Sequence, residues 1–356
     1  MSRKELLKGR GAQGQVHNRF ERHIQETRDD YLEYLNRSGE AEKLRTTYTP
    51  VHPKTIVNKV TSPDVRMPYS MNPYQGCEHG CVYCYARNTH EYWGYSAGLD
   101  FESKILYKPA AATLLEKHLR NPRWEASPIV LSGNTDCYQP AERRFGLTRS
   151  CLEVFWKYRH PVGIITKNSL LLRDLDLLEQ LNSEGLVSVH ISVTSLDESI
   201  RSLLEPRTAS TRKRLRTIAE LSNRGIPVNA MLAPMIPGLN SHELMDLAKA
   251  VADAGALSFG FTMVRLNGAI GPLFLDWLQK AMPDRASRVE SLIRSCHDGQ
   301  LNDSQFGRRM KGEGEVASQL HQMARISRQK FFKGRELPEL NTSLHAQYKT
   351  GQLRLF

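Results

Sequence analysis

Short apolar runs rich in β-branched residues alternate with amphipathic stretches along the middle of the chain, and this alternation constrains the fold more than any other feature. The runs occupy residues 129–131, 162–165, 187–193, 228–236 and 259–264, with a weaker one at 69–74. Each is short enough to be a strand buried on both faces, as parallel strands are. Between them Leu171, Leu175 and Leu178 recur at i, i+4 and i+7. Leu244, Leu247, Ala248, Val251 and Ala252 form a second helical stripe, with Ser241 placed to start it. Gly185, Gly225 and Gly255 stand where a helix should end before the next strand. Six strands separated by helices on short connections predict a parallel α/β fold with right-handed crossovers. Periodicity alone does not separate a barrel from an open sheet.

The flanks read differently. Residues 1–62 are polar and mixed in charge, an N-terminal extension with a short amphipathic helix expected over 24–35 and an extended stretch at 48–53. Residues 63–283 hold the alternating core. After residue 283 the strands stop, and 284–356 read as a basic, mainly helical C-terminal extension. The 356 residues suffice for one large domain with extensions or for two modest ones. No uninterrupted apolar run of about 18 residues predicts a membrane span. The start, Met1-Ser2-Arg3-Lys4-Glu5, lacks a signal-like apolar core, so a cytoplasmic location is expected.

Three of the six cysteines fall within eight residues, in Gly76-Cys77-Glu78-His79-Gly80-Cys81-Val82-Tyr83-Cys84-Tyr85. Such spacing reads as a metal site in a reducing compartment and not as a disulfide framework. Cys77, Cys81 and Cys84 can ligate three irons of a [4Fe–4S] cube and leave the fourth iron open to an exogenous ligand. The competing reading is zinc on these thiolates with His79 or His90, although zinc ribbons usually pair two C-x2-C units and one is present here. Cys151 and Cys296 sit in helical patterns and read as small buried hydrophobes.

A C-x3-C-x2-C motif with an aromatic residue before its last cysteine resembles the signature of the radical SAM superfamily. The resemblance implies a partial (β/α)6 TIM-type barrel, a [4Fe–4S] cluster, S-adenosyl-L-methionine bound to the open iron, and a one-electron reductant such as flavodoxin or ferredoxin. Reductive cleavage of S-adenosylmethionine would then yield a 5′-deoxyadenosyl radical. Function in parallel α/β folds collects at the C-terminal strand ends. There Thr135 and Asp136 could meet the methionine ammonium, Lys167 its carboxylate, and Ser192 and Thr194 the ribose. Tyr83 and the bend at 233–238 could lie against adenine. Each of these residues could equally be a polar cap of its strand.

Further motifs sharpen the likeness. Asn72-Pro73-Tyr74-Gln75-Gly76-Cys77, Tyr83-Cys84-Tyr85-Ala86-Arg87, the stretch from Asn134 to Arg143, and Leu204-Glu205-Pro206-Arg207-Thr208 resemble a bacterial radical SAM group related to spore photoproduct lyase, often labelled DNA repair photolyase-like. The likeness runs from Gly9-Arg10-Gly11-Ala12 to Phe306-Gly307. It implies Thr135, Lys167 and Ser192 as S-adenosylmethionine contacts. The lyase returns a hydrogen atom from a cysteine at the position held here by Gly133. Cys137, four residues later, is either a hydrogen donor in the same space or a buried hydrophobe.

A net charge of +11, from 49 basic and 38 acidic residues, makes nucleic acid, DNA or RNA, a candidate partner. Arg201, Arg207, Arg212, Lys213, Arg214 and Arg216 cluster against the single acid Glu205, either as a phosphate-binding rim or as a solvated helix face. Further basic clusters lie at 308–311 and 325–335. The leading expectation is therefore a radical SAM enzyme acting on a nucleic-acid base, lyase-like or base-modifying. The alternatives are radical SAM chemistry on a peptide or small metabolite, and a non-catalytic Fe–S protein that binds nucleic acid.

Overall fold

The computed structural model describes residues 6–20, 45–65 and 67–349; the helix expected over 24–35 lies outside the described residues. Among the described residues there are ten strands: β1 (Thr47–Pro50), β2 (Val57–Lys59), β3 (Tyr69–Met71), β4 (Tyr74–Gln75), β5 (Lys104–Tyr107), β6 (Ile129–Leu131), β7 (Val162–Thr166), β8 (Val187–Ser192), β9 (Val228–Met235) and β10 (Ser258–Met263). β3, β6, β7, β8, β9 and β10 are parallel neighbours in that order, and β2 adds an antiparallel strand beside β3. Consecutive parallel strands joined by helices give the order of a partial (β/α)6 barrel. Among the described residues β10 has no ladder beyond β9, so the sheet stays open on that side.

The β-branched runs build this sheet because its helix-covered face is apolar throughout, while Ser188, His190, Asn229 and Met231 on the other face are half-buried. Val162, Ile164, Val187, Val189, Ile191, Val228, Ala230 and Leu232 are all buried. Helices Leu147–Lys157, Leu175–Ser183 and Leu244–Asp253 pack against it through Leu152, Phe155, Leu178, Leu181, Leu247 and Val251. A fully buried side chain of this size contributes about 1.5–3 kcal/mol relative to exposure.

One turn recurs between helix and strand. At Gly185, Gly225 and Gly255 the backbone enters the left-handed region, with φ of 69°, 69° and 100°. Each glycine N–H donates to the carbonyl three residues back, and the following N–H to the carbonyl five back: Leu186 to Leu181, Ile226 to Leu221, Ala256 to Val251. These are Schellman caps, closed by a buried apolar residue after the glycine. Arg159, at φ 45°, makes the same turn without glycine, with His160 N donating to Phe155 O.

The stretch 69–74 does not form one strand. Pro73 interrupts it, and Asn72 turns its Oδ1 to accept from the N–H groups of Asn134 (2.8 Å) and Thr135 (3.2 Å). β3 therefore stays in the barrel sheet, while β4 leaves to pair antiparallel with β5, which also takes β1 in parallel. Ser241 makes no side-chain cap. It opens a 3-10 turn, Ser241–Glu243, ahead of the helix, and Glu243 accepts from Ser195 Oγ (2.7 Å) and the N–H groups of Leu196 and Asp197 (both 3.1 Å).

The C-terminal part belongs to the same core. Helix Gly314–Phe331 lays Ala317, Leu320 and Ala324 into the main cluster. Farther on, His345 Nδ1 lies 2.8 Å from Tyr158 O, and its ring stands edge-on to His160 at 4.9 Å. His160 Nε2 accepts from Trp124 Nε1 at 3.0 Å, which requires the neutral ring.

Two outcomes follow from these contacts. Gly225→Ala should cost about 1–2 kcal/mol in urea unfolding, because only its φ is unfavourable. Gly255→Ala should cost more, since its Cβ would stand 2.6 Å from Ser222 Cβ. Burial, helped by His345, lowers His160 from 6.5 to about 3. The unfolded chain therefore binds more protons between those values, and stability should fall as pH drops through that window. Replacing His160 with Gln should flatten a plot of melting temperature against pH.

Candidate active site at the C-terminal strand ends

The cysteine segment is the loop that follows β4, and two glycines shape it. Gly76 (φ 76°) and Gly80 (φ 70°) flank Cys77 in the left-handed region. A Cβ on Gly80 would meet Glu102 Oε2 at 2.7 Å, and one on Gly76 would meet the carbonyls of Phe101 and Lys104 at 3.1 Å. Cys77 N donates to Phe101 O (2.8 Å), and Val82 N to Leu204 O (3.0 Å).

A buried ion pair holds the loop from beneath. Arg87, with no exposed surface, donates from Nε to Cys81 O (2.9 Å), from Nη1 to Gly98 O (3.0 Å), and from Nη2 to Gly80 O (3.2 Å) and Glu102 Oε1 (2.6 Å). Glu102, equally buried, also accepts from the N–H groups of Gly11 (3.2 Å) and Ala12 (2.8 Å) and from Arg207 Nη2 (3.2 Å). Gly11 is required at this crossing, because its Cβ would lie 1.7 Å from Gly80 O.

Cys77 and Cys81 are buried, Cys84 is half-buried, and none forms a disulfide. Burial, and the neighbouring Asp136, Cys81 and Cys84, push the Cys77 thiol far up. Burial also raises Cys81 and Cys84. Three thiols close enough to repel one another as thiolates are a donor set that a cationic iron cluster would neutralise. Among the described residues no three His, Cys, Asp or Glu side chains close on a single ion. A cube takes one thiolate per iron and so sets its ligands apart. The residues present fit such a group.

The strand ends face this loop. Asp136 Oδ1 accepts from Thr166 Oγ1 and Tyr138 N, both at 2.8 Å. Its Oδ2 accepts from Lys167 N (2.8 Å) and lies 3.3 Å from His79 Nδ1. Burial opposes ionisation, but His79 and these bonds outweigh it and hold the carboxyl at about 2. Thr135 donates its hydroxyl to Tyr74 O (2.6 Å). Both groups expected to face a ligand are thus committed within the protein, and Asp136 ties the ends of β6 and β7 to the cysteine loop.

Lys167 is different. Its ammonium lies 6.0 Å from the centre of the Tyr83 ring and pairs with no carboxylate among the described residues. Burial lowers its proton affinity, but the Cys81 thiol and Glu205 raise it further, so the cation is retained. Tyr83 donates its hydroxyl to Glu205, which also pairs with Arg214. Burial disfavours the Glu205 charge, but Arg214 and Lys167 hold the carboxyl near 2. Arg214 Nη1 reaches Ser192 O (3.0 Å) at the end of β8. Just beyond, Thr194 is 1% exposed and its Oγ1 has no hydrogen-bond partner.

Cys137 is fully buried in the main core, its N–H donating to Ser132 Oγ (2.7 Å) and its carbonyl accepting from Thr148 Oγ1 (2.6 Å). A Cβ on Gly133 would stand 2.5 Å from Ser70 Cβ, so no side chain fits there. The basic cluster at 201–216 divides. Arg201 pairs with Glu198, Arg207 with Glu102 and Arg214 with Glu205, leaving Arg212, Lys213 and Arg216 exposed. Neither a phosphate rim nor a solvated face describes the whole cluster.

The radical SAM superfamily model matches residues 71–251, half of the chain. The chain belongs to the radical SAM superfamily. Its cofactors are those of the family, a [4Fe–4S] cluster and S-adenosylmethionine. An uncharacterised Mycobacterium tuberculosis protein is 34% identical over 275 residues, covering 75% of this chain and 81% of its own. A Pseudomonas phage M6 protein named radical SAM Nalpha-GlyT isomerase is 24% identical, covering 64% of this chain and 46% of its own. Spore photoproduct lyase in complex with dinucleoside spore photoproduct shares the fold, with a TM-score of 0.60 at 17% identity over 81% of this radical SAM chain and 80% of that one.

Glu102→Gln should leave buried Arg87 without its counter-charge, at a cost on the order of 3–5 kcal/mol. Thermal unfolding should show the loss, and limited proteolysis should open residues 6–20 first. Arg207→Ala, removing only the partly exposed partner of Glu102, should cost much less.

Proposed function

We propose that this radical SAM protein carries its cluster on Cys77, Cys81 and Cys84, binds S-adenosylmethionine across the ends of β6, β7 and β8, and modifies a nucleic-acid base. The observation that carries the cofactor site is Lys167, a retained cation beside the cysteine loop that forms no ion pair with a carboxylate among the described residues. It would pair with the methionine carboxylate by a charge-assisted bond. Ser192 and the unpartnered Thr194 hydroxyl would meet the ribose, for a buried hydroxyl without a partner is costly unless a ligand satisfies it. Tyr83, fixed at its hydroxyl by Glu205, would present its ring to the ligand. Thr135 and Asp136 act as positioning residues, the one on Tyr74 and the other on His79 and the Lys167 backbone.

When bound, the cofactor pair supplies one-electron reductive cleavage of S-adenosylmethionine to methionine and a 5′-deoxyadenosyl radical. The electron would come from a small donor such as flavodoxin or ferredoxin. The protein's part is to orient the cleaved bond and keep water out, and the buried ion pairs around the loop do both.

Support for a nucleic-acid substrate comes from the net charge of +11 and from the fold shared with a lyase seen with a dinucleoside lesion. Within that reading, base modification is favoured over lesion splitting. Gly133 has no room for the thiol that would return hydrogen, and Cys137 lies in the core.

Anaerobically reconstituted, reduced protein should release 5′-deoxyadenosine, and damaged DNA or RNA should stimulate release. Stimulation by a peptide or metabolite pool alone would move the substrate to those classes; no cleavage by a reducible cluster would leave a binding protein. Lys167→Ala should raise the KM for S-adenosylmethionine about 10- to 100-fold with iron content unchanged. Replacing all three cysteines, Cys77→Ala, Cys81→Ala and Cys84→Ala, should abolish iron loading.

A further inference from the structure

Among the described residues seven large hydrophobic side chains are exposed, and five of them, Leu7, Phe20, Tyr85, Tyr92 and Trp93, sit on two segments. One is the N-terminal stretch 6–20; the other is the 3-10 helix Tyr85–Trp93, which begins directly after Cys84. The two are bound together. Asn18 Nδ2 donates to Glu91 O (2.9 Å) and Tyr95 O (3.1 Å), and Arg19 Nε pairs with Glu91 at 3.2 Å. Where they meet, the rings of Phe20 and Tyr92 lie 4.9 Å apart at 35°, and the Arg19 guanidinium covers them at 4.8 and 5.5 Å. Tyr92 is nevertheless 70% exposed and Trp93 42%.

Among the described residues the charge on these two segments is mostly positive, and the nearby Asp100 is engaged by Gln15 and Lys104. Residues 6–20 contain Lys8, Arg10 and Arg19 and no carboxylate. The one acid of the helix, Glu91, is 3% exposed and already engaged. A lipid-facing patch would be richer in aliphatic side chains, and a surface for a basic protein would show acids. Aromatic rings this exposed beside positive charge suit unstacked bases on a phosphate backbone, since every base has a face to stack and every linkage an anion to pair.

The helix also points the way to the site. Tyr85, at its start, donates its hydroxyl to Gly133 O (2.7 Å) at the end of β6. The helix runs on beside the cysteine loop, with Thr89 accepting from Gln75 Nε2 (2.6 Å) and His90 packed against Gly76, so its far end carries Tyr92 and Trp93 past the loop on the same side of the protein. We propose that Phe20, Tyr92, Trp93 and Arg19 form a stacking platform for single-stranded nucleic acid, which holds one part of the strand while a neighbouring base enters the strand-end site. This deepens the nucleic-acid reading above and rests on it.

The test is fluorescence anisotropy of a labelled oligothymidylate on the reconstituted holoprotein, with 5′-deoxyadenosine release measured in parallel. Tyr92→Ala and Trp93→Ala should each weaken binding about tenfold, the size of one stacked base. Trp93→Phe should keep most of the affinity, which a mere folding defect in Trp93→Ala would not explain. Lys8→Ala should weaken binding at low salt and reduce the salt slope by about one. Full-strength binding by a Tyr92→Ala, Trp93→Ala double variant would overturn the platform and leave the nucleic-acid reading standing. No oligonucleotide binding by the unaltered protein, with S-adenosylmethionine cleavage intact, would overturn both.

Discussion

A carboxylate with no exposed surface, Glu102, holds together parts of the chain that are distant in sequence. It receives Arg87 from behind the cysteine loop, Arg207 from beyond β8, and two backbone N–H groups from the N-terminal segment. Burying a carboxylate is expensive unless charge and hydrogen bonds compensate it. Here each compensating group is a piece of the site's frame. The loop that presents three thiols, the segment that covers it and the return from the fourth parallel strand are thereby fixed by one charge.

The same device recurs at the strand ends. Asp136 is balanced by His79 and backbone donors, Glu205 by Arg214 and the Tyr83 hydroxyl. Both carboxyls stay ionised although buried. Lys167 breaks the pattern: among these neighbours it is the cation left without a carboxylate of its own. A site that pairs its structural charges internally and leaves one charge open is preorganised for an anionic group, because little has to rearrange when that group arrives.

How much of this was legible in the chain follows from the range of the interactions involved. The six parallel strands were readable because a sheet face covered by helices favours short β-branched runs, and the three glycine caps because only glycine enters the left-handed region at little cost. The grouping of the three thiols was readable because they stand within eight residues of one loop. Glu102 carried no such signal: its partners lie 15, 90, 91 and 105 residues away. The run of arginines at 201–216 suggested a surface feature, yet Arg201 and Arg214 are buried in pairs that composition cannot reveal. Pro73 and Asn72 were visible, but not that Asn72 would trade strand pairing for two loop N–H groups.

Ser70 lies on β3 and Gly133 in the turn after its parallel neighbour β6, so close that the side chain of one occupies the place of the other. The pair therefore behaves as a single slot with two possible tenants. A reactive side chain at 133 requires glycine at 70, and a serine at 70 enforces glycine at 133. What can stand at the end of β6 is thus decided partly by a residue of the neighbouring strand, and placing a side chain at 133 is a two-position change.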